Sequence, residues 1–138
     1  MADSFLVDAG FLVALANEQD RFHAPCVAIW RRFGPPSSLI TTEGAIVEAL
    51  HLLRRVRGGP EATIGLIIQA HANVVGPDAR RYVRAIELMD RYANVPMDFV
   101  DALLVAIAEE TGVLDVLTLD RRGFETYRVG RRSFRILP

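Results

Sequence analysis

The chain has 138 residues, of which 51% are hydrophobic and 24% are charged, and its formal net charge is −1. This composition excludes a disordered or fibrous chain and predicts one globular domain over residues 1–138. The single cysteine, Cys26, excludes an internal disulfide and a cysteine-based metal cluster. The start of the chain has no signal-peptide pattern, and no segment approaches the roughly 20 apolar residues that span a bilayer. We therefore expect a soluble, cytoplasmic protein.

In the first half of the chain, short apolar runs predict strands, and longer stretches with helical spacing predict helices. In chain order, the predicted elements are a strand at 5–7, helices at 10–18 and 22–33, a strand at 38–41, and a following helix. Thr41 or Thr42 is suited to cap that helix, whose pattern continues to Gly58 and Gly59.

The second half continues the alternation. Its predicted elements are helices at 60–72 and 77–93 joined by a short connection at 73–75, a helix from Asp98 to about Gly112, and strands at 116–119 and 133–137. An exposed hairpin is predicted to turn at residues 129–133.

Alternating strands and helices predict an α/β fold in which a mainly parallel sheet carries helices on both faces. In such sheets, ligands bind in the crevice at the carboxyl ends of the strands. Asp8 follows the first predicted strand and Asp120 follows the strand at 116–119. Glu48 and Asp101 lie in the first two turns of their helices. We therefore expect these four carboxylates to converge at one edge of the sheet.

Each acidic residue also has a purely structural interpretation. Asp8 and Asp120 can cap the helix or turn that follows them. Asp98 and Asp101 can cap their own helix, whose positive N-terminus favours a carboxylate by about 0.3–1 kcal/mol. Glu48 fits this interpretation less well, because it lies mid-helix among apolar residues. Asp101 also resists it, because it shares a helix face with apolar residues that should face the core.

A cluster of four carboxylates requires either a cation or raised pKa values. Two carboxylates about 4 Å apart repel by roughly 4 kcal/mol at an effective dielectric of about 20. Oxygen ligands without cysteine or a histidine cluster favour Mg²⁺ or Mn²⁺ over Zn²⁺. One or two such ions suit the hydrolysis of a phosphodiester bond.

Positive charge is concentrated at the end of the chain. Residues 1–120 carry 10 arginines and 16 acidic residues, whereas residues 121–138 carry 6 arginines and only Glu125. All 16 basic residues are arginine. Guanidinium groups suit phosphate oxygens, so this segment offers phosphate-binding side chains beside Asp120. The alternative, a solvated surface hairpin, is equally consistent with the charge pattern.

Four stretches together resemble the PIN domains, and among them the VapC-type toxins of bacterial and archaeal toxin–antitoxin pairs. They are LVDAGFLVAL with Asp8, TEGAIVEALHLL with Glu48, MDFVDALLVAIAEETG with Asp101, and VLTLDRRGF with Asp120. The resemblance covers essentially the whole chain, with the four stretches in the right order. It implies a three-layer α/β/α sandwich with a mainly parallel central sheet, and a metal-dependent endoribonuclease. Asp98 matches an additional acid often found beside the third of these four.

The resemblance also implies a role for each residue. Asp8 and Asp101 would be the principal ligands of Mg²⁺ or Mn²⁺, and Glu48 and Asp120 would complete the site directly or through water. One of these outer carboxylates would orient the nucleophile. RNA phosphates would be held by arginines, for which the candidates are Arg121, Arg122, Arg54 and Arg55. A small antitoxin is the implied partner, and its arginine-bearing tail would enter the acidic site.

One position departs from the family. Many members carry a small hydroxyl residue just after the first aspartate, where this chain has Ala9 and Gly10. A hydrogen bond to Asp8 or to a metal-bound water is therefore either missing or supplied by one of three threonines: Thr41, Thr42 or Thr118.

Two other classes of protein are alternatives to this interpretation. Phosphoacceptor receiver domains and haloacid-dehalogenase-like phosphatases place an aspartate at a strand end but rely on a lysine, and this chain has none. The other class stays open: a non-catalytic interaction module whose acidic pocket binds the arginines of a partner.

The apolar face of residues 62–70 is the remaining feature of the sequence. Ile64, Ile67 and Ile68 predict a stripe that packs on the core, which is the usual role of such a face. The alternative is a binding surface, either for the antitoxin or for a second copy in the homodimer that we expect.

Overall fold

The computed structural model describes residues 3–138. Its strands are β1 Ser4–Val7, β2 Ser38–Thr42, β3 Asn73–Val75, β4 Asp115–Leu117, β5 Arg128–Val129, β6 Arg132–Ser133 and β7 Arg135–Leu137. Its helices are α1 Ala9–Ala16, α2 His23–Phe33, α3 Glu43–Leu52, α4 Gly59–Gln69, α5 Ala79–Arg91, α6 Phe99–Thr111 and α7 Arg121–Thr126. Each of these helices is too short or too polar to cross a membrane.

The central sheet runs in the order β3-β2-β1-β4-β7, and each neighbouring pair of its strands is parallel. β1 lies in the middle, with Leu6 opposite Ile40 of β2 and Val116 of β4. Because the strands are parallel, their carboxyl ends lie together at one edge, where Asp8 leaves β1. The predicted mainly parallel sheet is confirmed.

Two apolar layers cover the two faces of this sheet. Successive strand residues point to opposite faces, so Leu6 packs with α5, α6 and α7, whereas Phe5 and Val7 pack with α1, α2 and α3. The residues of α6 from Asp101 to Ala108 are all buried, which places this helix in the interior of its layer. The structure therefore has the three-layer α/β/α architecture that the sequence predicted.

Residues 73–75 form a strand, so the short connection predicted there was wrong. β3 pairs in parallel with β2 at the edge of the sheet, with Ile40 opposite Asn73 and Thr42 opposite Val75. A strand of three residues is too short to produce a periodic pattern. Its hydrogen-bonding partner, more than thirty residues away along the chain, decides its conformation.

The helix predicted to continue to Gly58 and Gly59 ends at Leu52 instead. The chain then turns through residues 53–58, and α4 begins at Gly59. Gly58 has a φ of 73°, in the left-handed region that glycine adopts without a steric cost. The apolar spacing of α3 does lapse after Leu53, where Arg54 and Arg55 are both exposed.

The end of the chain also differs in part from the prediction. The short helix α7 begins directly after Asp120, where the sequence offered at most a capped turn. The hairpin predicted around residues 129–133 is present, with Arg128 of β5 opposite Ser133 of β6. The predicted last strand is confirmed in shorter form, as β7 pairs with β4.

Candidate active site

Three of the acidic residues begin helices at the carboxyl edge of the sheet. The side chain of Asp8 accepts a hydrogen bond from the Ala9 N–H at 2.8 Å and caps α1. Asp120 accepts one from the Gly123 N–H at 3.1 Å and caps α7. Asp98 caps α6. The capping interpretation is thus correct for all three, and the same geometry brings their carboxylates to one place.

Asp8 leaves the central strand and is only 8% exposed. Its Oδ2 accepts a hydrogen bond from the Thr118 hydroxyl at 3.0 Å, and the Thr118 Oγ1 accepts one from the Asp120 N–H at 3.0 Å. Thr118 therefore connects Asp8 with the loop that carries Asp120. Of the three candidate threonines, Thr118 supplies the hydroxyl that Ala9 and Gly10 lack.

The other two threonines have structural roles. The Thr41 hydroxyl donates to the Val7 carbonyl oxygen at 2.8 Å and joins β2 to the end of β1. The Thr42 Oγ1 accepts from the Ala45 N–H at 3.0 Å and caps α3.

Asp98 and Asp101 form a reciprocal pair at the start of α6. The Asp101 N–H donates to the Asp98 Oδ1 at 2.8 Å, and the Asp98 N–H donates to the Asp101 Oδ2 at 3.3 Å. Asp98 is exposed, whereas Asp101 is only 7% exposed. This capping box holds the Asp101 side chain close to the backbone, and it explains how a charge is accommodated at the end of an apolar stripe.

Tyr127 is a site residue that the sequence did not indicate. Its ring is fully buried, and its hydroxyl donates to the Asp101 Oδ2 at 3.4 Å. An added Cβ at Gly123 would lie 2.9 Å from this hydroxyl and would clash with the Asp120 carboxylate. Gly123 thus lets the Asp120 carboxylate and the tyrosine hydroxyl approach each other. No sequence pattern predicts this contact, because Tyr127 follows a six-residue helix and precedes the hairpin.

Glu48 reaches the cluster from the opposite layer of helices. It lies in the second turn of α3 and is half-buried. The first turns of α3 and α6 meet across the sheet edge, since a Cβ added at Gly44 would lie 3.4 Å from Val100. Glu48 accordingly interacts electrostatically with Asp98 and Asp8.

Burial and mutual repulsion raise the pKa of the central carboxyl groups. Burial is the largest cause for Asp8, Glu48 and Asp101. Nearby carboxylates add to it: Asp98 and Asp120 further raise the pKa of Asp8, and burial together with the charges of Asp8 and Asp98 raises the pKa of Asp101 to about 8. Within residues 3–138, none of these three central carboxylates forms an ion pair. The centre of the site therefore consists of two buried acids and one half-buried acid that have no counter-charge among the described residues.

The donor set of this site fits a hard divalent cation. It consists of carboxylate oxygens, and a bound cation would relieve the repulsion that raises the pKa values. In the described part of the chain, no three Asp, Glu, His or Cys side chains are placed to hold one ion directly. Binding would therefore use water ligands or a change of side-chain rotamer, and Mg²⁺ usually keeps several waters in proteins.

The four candidate RNA-binding arginines lie in two different places. Arg121 and Arg122 are exposed in the first turn of α7, directly beside Asp120. Arg121 donates to the Pro138 carbonyl oxygen at 2.8 Å and pairs with Glu125 at 3.3 Å. Arg54 and Arg55 follow the last turn of α3, about 15 Å of helix from its start at the sheet edge. The structure thus brings only the first pair close to the acidic cluster.

The comparisons with known proteins agree with this architecture. Residues 5–130 match the family model of the PIN domain. Among solved structures, the chain is similar to VapC20 of Mycobacterium tuberculosis, which is described as a sarcin-ricin loop cleaving toxin. The two share 25% sequence identity with a TM-score of 0.69, over 81% of this chain and 86% of that one. A comparison with curated proteins gives no match.

The family match spans most of the chain and includes all four stretches on which the sequence resemblance rests. The solved structure supports the same fold independently. The chain belongs to the PIN domain family, and its structure is similar to that of a VapC-type member.

Proposed function

We propose that this protein is a Mg²⁺- or Mn²⁺-dependent endoribonuclease and the toxin of a toxin–antitoxin pair. The observation that carries the proposal is the convergence of Asp8, Glu48, Asp98, Asp101 and Asp120 at the carboxyl edge of the sheet, where none of them forms an ion pair within residues 3–138. Membership in the PIN domain family and the similarity to VapC20, a sarcin-ricin loop cleaving toxin by its description, support it.

Asp8 and Asp101 are the principal ligands in this proposal, because they are the most buried acids of the cluster. The Thr118 hydroxyl holds Asp8, and the Tyr127 hydroxyl and the Asp98 N–H both bind the Oδ2 of Asp101. The Oδ1 of Asp101 accepts no hydrogen bond within residues 3–138 and remains available to an ion.

Glu48 and Asp120 flank these two residues, and Asp98 stands beside them as an additional acid. When bound, a divalent ion would lower the pKa of a coordinated water and stabilise the leaving oxygen. Glu48 is suited to orient the attacking water, because burial and the neighbouring acids raise the pKa of its carboxyl group. Asp120 already accepts a hydrogen bond from Gly123 and has one carboxylate oxygen left for water or an ion.

RNA would approach from the side of α7. Arg122 makes no side-chain hydrogen bond or ion pair within residues 3–138, so its guanidinium group is available to a phosphate. Arg121 would also bind a phosphate once its ion pair with Glu125 is broken. Arg54 and Arg55 would contact a longer substrate. Because phosphate contacts release counterions, RNA binding should weaken steeply as salt rises.

The antitoxin is proposed to bind beside the exposed face of α4. Ile64 and Ile68 of this helix are exposed, whereas Ile67 packs against the core. The core-packing role predicted for this stripe was therefore wrong for two of its three residues. An exposed apolar pair of this kind suits the apolar side chains of a binding peptide.

The decisive experiment compares Asp8→Asn with Asp78→Asn. Asp78 also caps a helix, with its side chain accepting from the Arg81 N–H at 3.0 Å, but it is not among the charges that affect the central carboxyl groups. Both substitutions keep the cap, because asparagine caps about as well as aspartate. We expect RNA cleavage with Mg²⁺ or Mn²⁺ to be lost in Asp8→Asn, by at least about a hundredfold, and retained in Asp78→Asn.

Several outcomes would contradict the proposal. Full activity of purified Asp8→Asn, or cleavage that persists in a chelator, would remove the assigned site. If no RNA is cleaved with either metal while an arginine-bearing peptide binds the wild type and not Asp8→Asn, the protein is instead the non-catalytic module. Circular dichroism spectra of both variants check that the fold is retained.

A further inference from the structure

A pocket of about 280 Å³ lies at the carboxyl edge of the sheet. Its walls come from the ends of two strands and from three helices, and its lining is mainly apolar. We call it the edge pocket. The residues that line it include Thr42 and Val75, which end β2 and β3, Val47 of α3, Tyr82 of α5, and Leu103 and Ile107 of α6.

The edge pocket adjoins the acidic cluster. Continuing the register of β1 and β2 places Thr42 beside Asp8, about 5 Å away on the neighbouring strand. On α3, Val47 directly precedes Glu48, and Gly44, which also lines the pocket, lies one turn before Glu48. A ligand in the edge pocket would therefore lie next to a phosphate held at the acidic cluster.

One aromatic ring of the edge pocket is open to solvent. Tyr82 is 41% exposed, and its ring contacts the Phe99 ring edge to face, with centroids 5.5 Å apart. Phe99 directly follows Asp98, so this aromatic pair also borders the acidic cluster. Proteins that bind single-stranded RNA stack unpaired bases on aromatic rings of this kind.

Two charged residues of the pocket lining can distinguish one base from another. Glu43 is exposed in the first turn of α3 and takes part in no ion pair within residues 3–138. Arg81 is held by Glu110 and by the Gly76 carbonyl oxygen, which use three of its five N–H groups. The two N–H groups that remain make no hydrogen bond within residues 3–138 and are available to a ligand.

We propose that the edge pocket binds one unpaired base of the RNA substrate, next to the bond that is cleaved, and that guanine is preferred. Guanine presents two adjacent N–H groups on its Watson–Crick edge, which match the two carboxylate oxygens of Glu43. Its O6 and N7 are acceptors of the kind that arginine N–H groups bind. Adenine, cytosine and uracil lack this combination. The inference rests on the proposed function and deepens it by naming the base that is recognised.

The polar groups favour a base over an apolar side chain from a partner protein. An apolar side chain would displace water from the Glu43 carboxylate and the Arg81 N–H groups without replacing its hydrogen bonds, which costs free energy. A base covers the Tyr82 ring with its face and binds both polar groups through its edges.

The first test is the cleavage of short single-stranded RNAs of randomised sequence by the purified protein with Mg²⁺ or Mn²⁺. Tyr82→Ala removes the stacking surface and should lower kcat/KM by roughly tenfold to a hundredfold, and Tyr82→Phe, which keeps the ring, should recover most of that loss. The matched control is Val83→Ala. Val83 is 61% exposed on the same helix but does not line the pocket, so cleavage should stay at the wild-type level.

The second test sequences the cleaved ends of the same RNAs. The wild type should show guanine enriched at one position beside the cleaved bond. Glu43→Gln should reduce this enrichment by about tenfold, because a two-oxygen contact with the base is lost, while cleavage of the whole pool continues. The control is Glu61→Gln, an exposed acid in the first turn of α4, which should leave the enrichment unchanged.

The outcomes separate this inference from the proposed function. If the wild type cleaves no RNA with either metal, the proposed function fails and the inference fails with it. Metal-dependent cleavage without a preference for guanine, or with a preference that Glu43→Gln leaves unchanged, overturns the inference alone. Wild-type cleavage by Tyr82→Ala also overturns it, and would leave the edge pocket to a side chain of a partner protein. Circular dichroism spectra check that each variant keeps the fold.

Discussion

Two groups of carboxylates in this structure contrast sharply in their partners. At the interface of α5 and α6, Arg81 binds Glu110 with distances of 2.6 and 3.0 Å, and Arg84 binds Glu109 at 2.8 Å through both oxygens. At the carboxyl edge of the sheet, the acids accept hydrogen bonds only from threonine, tyrosine and backbone groups within residues 3–138, and their nearest charged neighbours are other carboxylates. The carboxylates of the first group join two helices, whereas those of the second group repel one another.

Burial makes the contrast more informative. Glu109 and Glu110 are partly exposed, with side-chain exposures of 24% and 49%, and yet they are paired. Asp8 and Asp101 are buried, and neither has a cationic partner among the residues that the structure describes. Selection for stability alone would favour the reverse, because an unpaired charge costs more in the interior than at the surface. The acidic edge therefore suits the binding of a cationic group from solution.

The largest expected effect concerns the pH dependence of stability without metal. The pKa of Asp101 is raised from near 4 in the unfolded chain to about 8 in the fold, so the folded state binds more protons between these values. Its stabilising contribution is complete below about pH 4 and is lost as pH rises toward 8. We expect chemical denaturation to give a lower free energy of unfolding at about pH 8 than at about pH 5, and Mg²⁺ to reverse the loss.

The Asp101→Asn variant sharpens this prediction. Asparagine keeps an oxygen for the Asp98 N–H and removes the buried charge, so the metal-free variant should be more stable than the wild type at about pH 8, by roughly 1–3 kcal/mol. It should also show no stabilisation by Mg²⁺ and no RNA cleavage. Equal pH dependence in the wild type and the variant would mean that Asp101 is not the titrating group.

Neutralising a paired carboxylate is expected to lower stability, by less than neutralising Asp101 raises it. Glu109→Gln breaks the two-oxygen contact with Arg84 and should lower the free energy of unfolding by about 1 kcal/mol, at any pH where glutamate is ionised. RNA cleavage should stay at the wild-type level. The control is Glu87→Gln, which removes the more exposed partner of Arg84, with a side-chain exposure of 58%, and should cost less. A gain in stability for Glu109→Gln would contradict the stabilising role assigned to the paired carboxylates.

The smallest expected effect is at Tyr127, which acts on Asp101 as a positioning residue. Tyr127→Phe removes the hydroxyl that binds the Asp101 Oδ2 and should weaken Mg²⁺ or Mn²⁺ affinity by about tenfold or less. The matched control is Tyr92→Phe, because the Tyr92 ring packs on Tyr127 with centroids 5.1 Å apart, while its hydroxyl accepts from the Arg128 N–H. Calorimetric titration measures the metal affinity of the two variants. Equal affinity in both variants and the wild type would mean that Tyr127 has a packing role only.

Much of the site follows from sequence patterns because those patterns are local. Asp101 stands out as a charge on an apolar helix stripe, and Glu48 as a charge in the middle of an apolar helix. Asp8 and Asp120 each follow a short apolar run that predicts a strand. Parallel topology then places strand ends and helix starts at the same edge. The closeness of Asp8 and Asp101 in the fold was thus predicted from two local observations and one rule of chain topology.

The contacts that arrange the site depend on residues far apart in the chain. Thr118 binds Asp8 across 110 positions, and Tyr127 binds Asp101 from the far side of α7. Residues 73–75 become a strand only because β2 offers an edge. Ile64 and Ile68 look like core residues in the sequence, and they are exposed because α4 turns only part of its apolar face toward α1 and α3.

The sequence by itself determined the alternation of strands and helices, the parallel sheet, and which carboxylates meet at its edge. These follow from hydrophobic periodicity and helix capping, which act within a few residues. Only the tertiary structure decided that Asp8, Glu48 and Asp101 have no ion-pair partner within residues 3–138, that Thr118 and Tyr127 bind two of them, and that α5 presents an exposed apolar stripe. Those outcomes depend on how whole elements pack, and packing brings together residues whose spacing along the chain carries no information about their contact.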